Sequence, residues 1–568
     1  MSSIWLLAIG VGMFLFGWFV YSKFVAYKVL RIDEKLVTPA HELRDDVDYV
    51  PTNKFVLWGH HFTAVAGAAP IVGPAIAVQW GWLPAFLWVT LGTVFFAGIH
   101  DMSALWASVR NQGKSIGTIC TKMVSNRVGQ LFMVVIFLLL LMVNAAFSII
   151  IAKESAENPS TVIPAWGAIA IALVMGQLIY KKRMKLGLVT ILGVVGLYLL
   201  VPLGVAFPVS LPNSVLGMGP VHQWVVILFI YAGIASVLPV WALLQPRDYV
   251  NGIQLFIALA LLYVSILIVA PKVVAPTVIP AISQDGNWGL IFPLLFVTIA
   301  CGAISGFHGL VSSGTTSKQI NEFKDVRFVG YLGSVGEGSL ALATIIACVA
   351  GVSLLSGFGT EIAAGDWTSI YKGGQRYFVE GGGAIIHEGF GLPQDVAQTL
   401  LSLMLVLFAA TTMDAGVRLQ RYIIQEWGEM YRIAWLCKTG LATLIAVLSS
   451  ISLAWGGIVE QGSNQIVLWP IFGATNQLLA AMTLTILGVL LIKSNRVKGS
   501  LVMLIPMSFI LLMSFWSACL KLIEFFRTSN WLLACVSLVV IVVTLLVMLS
   551  SLREISKVLK SRERKSAA

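Results

Sequence analysis

The sequence predicts an all-α polytopic membrane protein with about 15 transmembrane helices. Of its 568 residues, 58% are hydrophobic and 11% are charged, and the mean hydropathy is +0.89. A soluble protein of this size would need far more polar surface. Apolar runs long enough to cross hydrocarbon recur along the whole chain. Basic residues are concentrated in alternate loops between these runs, which is the pattern that orients membrane proteins.

The first apolar run covers residues 4–21. It lacks a basic start and a small-residue cleavage site, so we expect a retained helix and no cleaved signal peptide. Residues 1–53 are therefore predicted to form a peripheral N-terminal helix followed by a cytoplasmic loop.

The most informative stretch is GAAPIVGP at residues 67–74, inside the apolar segment 60–80. Proline removes a backbone donor and glycine adds backbone freedom, so two of each in eight residues should break a helix. Broken backbone survives in a membrane only when it is buried in protein or lines a wet cavity. We expect the freed backbone to contact a substrate, and the predicted contact residues are Gly67, Ala68, Ala69, Pro70, Ile71, Val72 and Gly73.

A second interruption, GIASVLP at residues 233–239, lies in the predicted span 222–245. Two interrupted helices of opposite direction, five helices apart, are typical of a transporter built from inverted repeats. The predicted repeats are 54–208 and 221–416, and 417–568 adds C-terminal helices and a basic cytoplasmic tail. The substrate would also contact Ser236, Val237, Leu238 and Trp241. The alternative is that each proline only kinks its helix.

The basic loops predict the orientation. Lys and Arg cluster at 181–185, around 418–432 and in the tail 553–565, all in loops of one side. By the positive-inside rule this side is cytoplasmic, which places the N-terminus outside and the C-terminus inside.

Ionisable residues at membrane depth are costly, so they are candidates for ion coupling. The candidates for carrying a proton are His60, His61, His100, Asp101 and His308. A run of hydroxyls offers oxygen ligands to Na⁺ instead, namely Ser312, Ser313, Thr315 and Thr316. The structural alternatives are an interfacial position for His60 and His61, an interhelical hydrogen bond for Asp101, and a helix cap for the hydroxyls.

Several functions are not expected. The formal net charge of +11 fits cytoplasmic loops better than nucleic-acid binding. The six cysteines include no C-x-x-C pair, and no phosphate-binding loop motif occurs. We therefore expect that the protein is not an enzyme and that it binds no nucleic acid. We also expect no cofactor other than a coupling ion, H⁺ or Na⁺. The expected partners are a small-molecule substrate and membrane lipid, and the oligomeric state stays open.

Four regions carry a family resemblance. They are WGHHFTAVAGAAPIVGPAIA at 58–77, HD at 100–101, CGAISGFH with SSGTTSKQI at 301–308 and 312–320, and WPIFGATNQLLA at 469–480. These stretches resemble the signature of the carbon starvation protein A (CstA) family. The resemblance implies an inner-membrane importer of peptides or pyruvate with the LeuT-like fold of the APC superfamily.

The predicted function is ion-coupled import of a small organic nutrient by alternating access, linked to carbon starvation. The rival hypothesis is a membrane sensor that binds a nutrient without moving it. A sensor would need a partner for its output, and the sequence shows no soluble signalling domain.

Overall fold

We describe a computed structural model of the chain. The structure covers residues 1–32, 35–45, 48–178, 182, 184–239, 243–279, 281–284, 287–356, 374–457 and 468–567, which we call the described residues.

The first half of the chain is helical. Its helices are α1 (Ser3–Phe16), α2 (Pro39–Glu42), α3 (Lys54–Ala66), α4 (Ala69–Ala77), α5 (Trp82–Gly92), α6 (Gly98–Arg110), α7 (Ile116–Met123), α8 (Asn126–Glu157), α9 (Val162–Gly176), α10 (Leu186–Ala206), α11 (Pro220–Val237) and α12 (Leu244–Val269). Wide π-helical turns extend α1 and join α5 to α6.

A short antiparallel hairpin, β1 (Ala281–Gln284) and β2 (Asn287–Leu290), separates the two halves. The second half contains α13 (Ile291–Thr298), α14 (Gly306–Gly314), α15 (Leu332–Val349), α16 (Gln375–Phe390), α17 (Gln394–Met430), α18 (Thr439–Gly457), α19 (Leu468–Lys493), α20 (Val497–Arg527) and α21 (Trp531–Ala567).

The predicted fold class is confirmed. Among the residues described, 13 helices are long and apolar enough to cross a membrane, and the bent pair α3–α4 makes 14. The count of about 15 and the five-plus-five repeat with its boundaries stay predictions.

Four helices form the centre of the protein. The membrane-length parts of α8, α15, α17 and α19 are 83% to 100% buried, with α19 the most enclosed. Outer helices instead expose large apolar side chains, such as Ile191 and Leu199 on α10 and Ile505 on α20. An apolar exterior around a buried core with polar groups is what a lipid solvent requires.

The predicted break in the first span is confirmed, and we call residues 67–68 the first break. Helix α3 ends at Ala66, α4 begins at Ala69, and the pair bends by 49°. Gly67 has φ +43° and ψ −165°, a backbone conformation that essentially only glycine adopts. Glycine therefore makes the break, while Pro70 lies in the first turn of α4, where proline is tolerated.

The apolar run 288–312 is long enough for the sequence to predict one span there, but it is not one helix. It is divided into α13 and α14 by residues 299–305, which we call the second break. Gly302 in this connection has φ +91°, which again favours glycine.

The interruption predicted at mid-span near Pro239 is wrong. Helix α11 ends at Val237 after 18 residues, long enough to span hydrocarbon, and α12 begins at Leu244. The predicted interruption at 233–239 therefore lies where α11 ends, before the next span, α12, begins. Trp241 lies outside the described residues. The long Gly-rich loop that the sequence predicts at 357–394, on the external side, is helical from Gln375 to Phe390. Residues 357–373 are not among the described residues.

Close packing around the second break depends on small residues. A Cβ atom built on Gly473 of α19 would lie 2.0 Å from the carbonyl oxygen of Val297 in α13. The distance of 2.0 Å is far shorter than a van der Waals contact. The clashing atom belongs to the backbone of a packed helix, which can move only slightly.

We therefore expect Gly473→Ala to destabilise the fold by about 1–3 kcal/mol, the range for overpacking a core. The measurement is the thermal unfolding midpoint of the protein in detergent. The matched control is Gly12→Ala in α1, where an added Cβ meets no atom within 4 Å. Equal unfolding midpoints for Gly473→Ala and the control would contradict the prediction.

Candidate functional site

The two breaks lie against each other. A Cβ atom built on Gly73 of α4 would lie 2.6 Å from the carbonyl oxygen of Thr298, and one built on Gly302 would lie 3.7 Å from Pro70. The start of α4, directly after the first break, therefore packs against the second break and the end of α13. The predicted partner at 233–239 is elsewhere, since α11 packs on α8, α17 and α18.

A small cavity lies where the breaks meet. Its walls come from both breaks and from the central helices. They are Val65, Ala66, Gly67, Ala69, Val143, Phe147, Cys301, Phe307, Thr412, Phe472 and Asn476. In this conformation the cavity has room for about one water molecule. A larger solute can enter only when these walls move apart.

The first turn of α4 borders this cavity. Its hydrogen bonds begin with the N–H groups of Ile71 and Val72, which both donate to the Ala68 carbonyl. The N–H groups before them have no partner within the helix, as at any helix start. Of the predicted contact residues, Gly67 and Ala69 line the cavity, while Ile71, Val72 and Gly73 are buried in packing.

Side chains from neighbouring helices hold the carbonyls of the second break and the end of α13. The indole N–H of Trp88 donates to the carbonyls of Phe296 and Ile299 at 3.2 and 3.1 Å. Trp469 donates to Thr298 at 3.0 Å, and the Thr93 hydroxyl donates to Gly302 at 2.9 Å. These bonds give hydrogen-bond partners to the carbonyl groups of the non-helical backbone, which lipid cannot provide.

Asn476 on α19 fixes the start of α14. Its Oδ1 accepts the backbone N–H of Phe307 at 3.0 Å, and its Nδ2 donates to the Ser305 hydroxyl at 3.0 Å. The same amide nitrogen lies 3.3 Å from the Cys301 sulfur. One buried amide therefore connects the cavity, the second break and α14.

A buried polar cluster lies behind the second break, and Asp101 is its centre. Its two carboxylate oxygens accept His100 Nδ1 at 2.7 Å, His308 Nδ1 at 2.8 Å and the Ser334 hydroxyl at 2.5 Å. All four side chains are at most 1% exposed. The structure thus brings three of the five predicted coupling residues into one network.

Glu337 completes this cluster, and we call Asp101, His100, His308, Ser334 and Glu337 the Asp101 cluster. Glu337 Oε2 lies 3.3 Å from His308 Nε2. Nearby Cys301, His308 and Glu337 each offer one ligand atom within 4.8 Å of the others, a spacing that can hold a metal ion.

Among the described residues, the remaining predicted coupling residues form no hydrogen bond with this cluster. His61 is buried, and its Nδ1 lies 2.9 Å from the Thr316 hydroxyl. His60 is half-buried.

The hydroxyls predicted for Na⁺ face different surroundings. The Ser313 hydroxyl donates to the Gly309 carbonyl and accepts the Ile116 N–H. It is therefore already used in hydrogen bonds between protein groups. Ser312 is buried with no hydrogen-bond partner for its hydroxyl, whereas Thr315 is exposed.

Arginines occupy the C-terminal end of α11, where Ser236, Val237 and Leu238 were predicted to bind substrate. Arg421 donates to the Ser236 carbonyl at 2.7 Å, and Arg418 donates to the Leu238 carbonyl at 2.7 Å. These carbonyls are therefore already paired. Close by, Arg247 forms a buried ion pair with Asp414.

Sequence reasoning missed Glu337, Cys301, Asn476 and Thr412 as site residues. Glu337 had a usable signal, because it is an ionisable residue inside the apolar run 330–356, which is long enough to cross a membrane. Asn476 lay in a recognised family stretch without an assigned role. Cys301 also lay in a recognised family stretch without an assigned role, whereas nothing local distinguishes Thr412 from other small residues in apolar helices.

Known proteins match this chain over most of its length. The family model described as carbon starvation protein CstA matches residues 2–358 and 360–518. A peptide transporter CstA of Campylobacter jejuni is 33% identical over 580 residues, covering 92% of this chain and 81% of that protein. A pyruvate/proton symporter BtsT of Escherichia coli is 30% identical over 589 residues, covering 92% and 82%.

A solved structure of an Eremococcus coleocola manganese transporter is 13% identical with a TM-score of 0.49, covering 91% of this chain and 99% of that chain. The family match and the relatives, together with the many apolar helices, lead to one conclusion. The chain is an integral membrane protein that belongs to the carbon starvation protein CstA family.

Proposed function

We propose that the protein is a cation-coupled secondary importer of a small organic nutrient, a peptide or pyruvate, that works by alternating access. The homologues named as a peptide transporter and a pyruvate/proton symporter support this substrate class. We place the protein in the inner membrane with the N-terminus outside and the C-terminus in the cytoplasm, as the basic loops indicate.

One observation carries the proposal: two interrupted helices meet at a small cavity that both of them line. An occluded binding site between broken helices is the arrangement expected of a transporter that opens to one side at a time. A continuous pore would need no such central site between broken helices.

The proposed substrate carries a carboxylate, as pyruvate and peptides do. We place this group at the start of α4, beside Gly67 and Ala69. The N–H groups of Ala68 and Ala69 precede the first hydrogen-bonded N–H of the helix, Pro70 has none, and the helix dipole favours an anion there. The apolar walls Phe147, Phe307 and Phe472 would contact the rest of the solute.

The proposed site of the coupling cation is the Asp101 cluster. It places the carboxylates of Asp101 and Glu337 beside His308, with no exposure to solvent. Buried negative charge needs a positive partner, and a cation that travels with the substrate would supply it. The hydroxyls at 312–316 are the alternative site if the cation is Na⁺.

The direct test is uptake by purified protein in proteoliposomes. We expect labelled pyruvate or a dipeptide to accumulate against its concentration gradient when either a pH gradient or a Na⁺ gradient is imposed alone. Empty liposomes and a dissipated gradient are the controls. Protein that binds a nutrient but never accumulates it under either gradient would support the sensor hypothesis and end the transporter proposal.

The first break should be necessary for transport. We expect Gly67→Ala to reduce uptake about tenfold, since a side chain in this backbone conformation costs about 1–3 kcal/mol and 1.4 kcal/mol is tenfold. The added Cβ would also lie 3.0 Å from the Thr412 hydroxyl.

Gly217→Ala is the matched control for this strain. Gly217 has φ +77°, but an added Cβ there meets no atom within 4 Å. Initial uptake rates are compared per folded protein, judged by thermal unfolding. Equal loss of uptake in both variants would show that the position of the first break is unimportant.

The charge of Asp101 should be needed for coupling. We expect Asp101→Asn to lower gradient-driven accumulation at least about tenfold, because hydrogen bonds to a charged group contribute about 1.5–3 kcal/mol. Exchange of substrate without a gradient should be affected less. The control is Asp395→Asn, an exposed acidic residue in the first turn of α17. Normal accumulation by Asp101→Asn would exclude the cluster as the cation site.

A further inference from the structure

The donor atoms beside the second break come from three separate elements. Cys301 belongs to the second break, His308 to α14 and Glu337 to α15. Their ligand atoms lie within 4.8 Å of one another, and all three side chains are buried. The set combines sulfur, nitrogen and oxygen, and it arises only when the three elements pack together.

Two of these residues have unused polar atoms. His308 Nε2 and both carboxylate oxygens of Glu337 lack a hydrogen-bond partner. The neighbouring donors are the Gly302 N–H and His308 Nε2 itself, and neither meets Glu337 with full hydrogen-bond geometry. Buried polar atoms are usually paired, and an unpaired buried carboxylate is costly.

The other nitrogen of His308 is already oriented. Nδ1 lies 2.8 Å from Asp101 Oδ2, and the same oxygen accepts the Ser334 hydroxyl. With Nδ1–H donating to Asp101, Nε2 is directed away from Asp101 and toward Glu337. A carboxylate that holds the far nitrogen of an imidazole is the usual support of a metal-binding histidine.

The donor types select the class of ion. Thiolate, imidazole and carboxylate together suit a borderline divalent cation such as Zn²⁺ or Co²⁺, whereas Na⁺, Mg²⁺ and Ca²⁺ prefer oxygen alone. Three protein ligands leave a fourth position open. Because Cys301 also lines the cavity, the ion would enter from there.

We propose that Cys301, His308 and Glu337 form a binding site for one Zn²⁺-class ion, and that the bound ion inhibits transport. Binding would release the Cys301 thiol proton and any proton on His308 Nε2. The ion would then tie the second break and α14 to α15, which opposes the movement that opens the cavity. The binding site stands without the proposed function, whereas the inhibition rests on it.

The binding test uses Co²⁺ as the probe on purified, reduced full-length protein in detergent. We expect one tightly bound Co²⁺ with a thiolate-to-cobalt charge-transfer band and the visible bands of tetrahedral coordination. Cys301→Ser should abolish the charge-transfer band and weaken Co²⁺ binding at least about tenfold. Cys348→Ser is the matched control, because Cys348 is also buried and lies on α15 outside the three-residue set.

The absence of a charge-transfer band in the unmodified protein would overturn the metal site. A band that survives Cys301→Ser, or that is lost equally in Cys348→Ser, would also overturn it. In each case His308 and Glu337 would be an ion pair that needs no metal.

The inhibition test compares uptake with and without Zn²⁺, each variant relative to its own metal-free rate. We expect Zn²⁺ to inhibit the unmodified protein and Cys348→Ser, and to inhibit Cys301→Ser at least about tenfold less strongly. Equal inhibition of Cys301→Ser would exclude this site as the cause. The Co²⁺ spectrum requires no uptake, so failure of transport and failure of metal binding are distinguishable.

Discussion

Backbone that leaves the helical conformation at membrane depth has to find its hydrogen-bond partners inside the protein. Much of this structure follows from that requirement. The second break and the end of α13 are held by the indoles of Trp88 and Trp469 and by Thr93, and the start of α14 by Asn476. The central helices must therefore carry polar side chains at defined places, and their remaining faces are apolar.

The same requirement brings the proposed substrate and cation sites together. Asn476 and Cys301 line the cavity, and Cys301 lies beside His308 in the Asp101 cluster. A movement of the second break would thus change the surroundings of the buried charges in the Asp101 cluster next to it. This proximity offers a physical route by which solute binding and cation binding influence each other, without a long chain of intermediates.

Sequence patterns located some of these features well and others poorly. The first break was predicted because glycine and proline act on the backbone locally. The interruption near Pro239 was placed at mid-span, although it is the end of α11. A proline that follows a helix end and one that interrupts a span look alike in sequence. Glu337 was overlooked among glycines of an apolar run, yet it contacts His308.

The sequence by itself determined that lipid is the solvent of this chain, where most apolar segments lie, that the first span breaks within residues 67–74 and which family the chain resembles. These properties depend on composition and on neighbouring residues. Only the tertiary structure decided that the start of α4 packs against residues 299–305, that Asp101 gathers His100 and His308, and that arginines occupy the end of α11. Hydrogen bonds between distant helices depend on how the helices pack, and no local pattern encodes that packing.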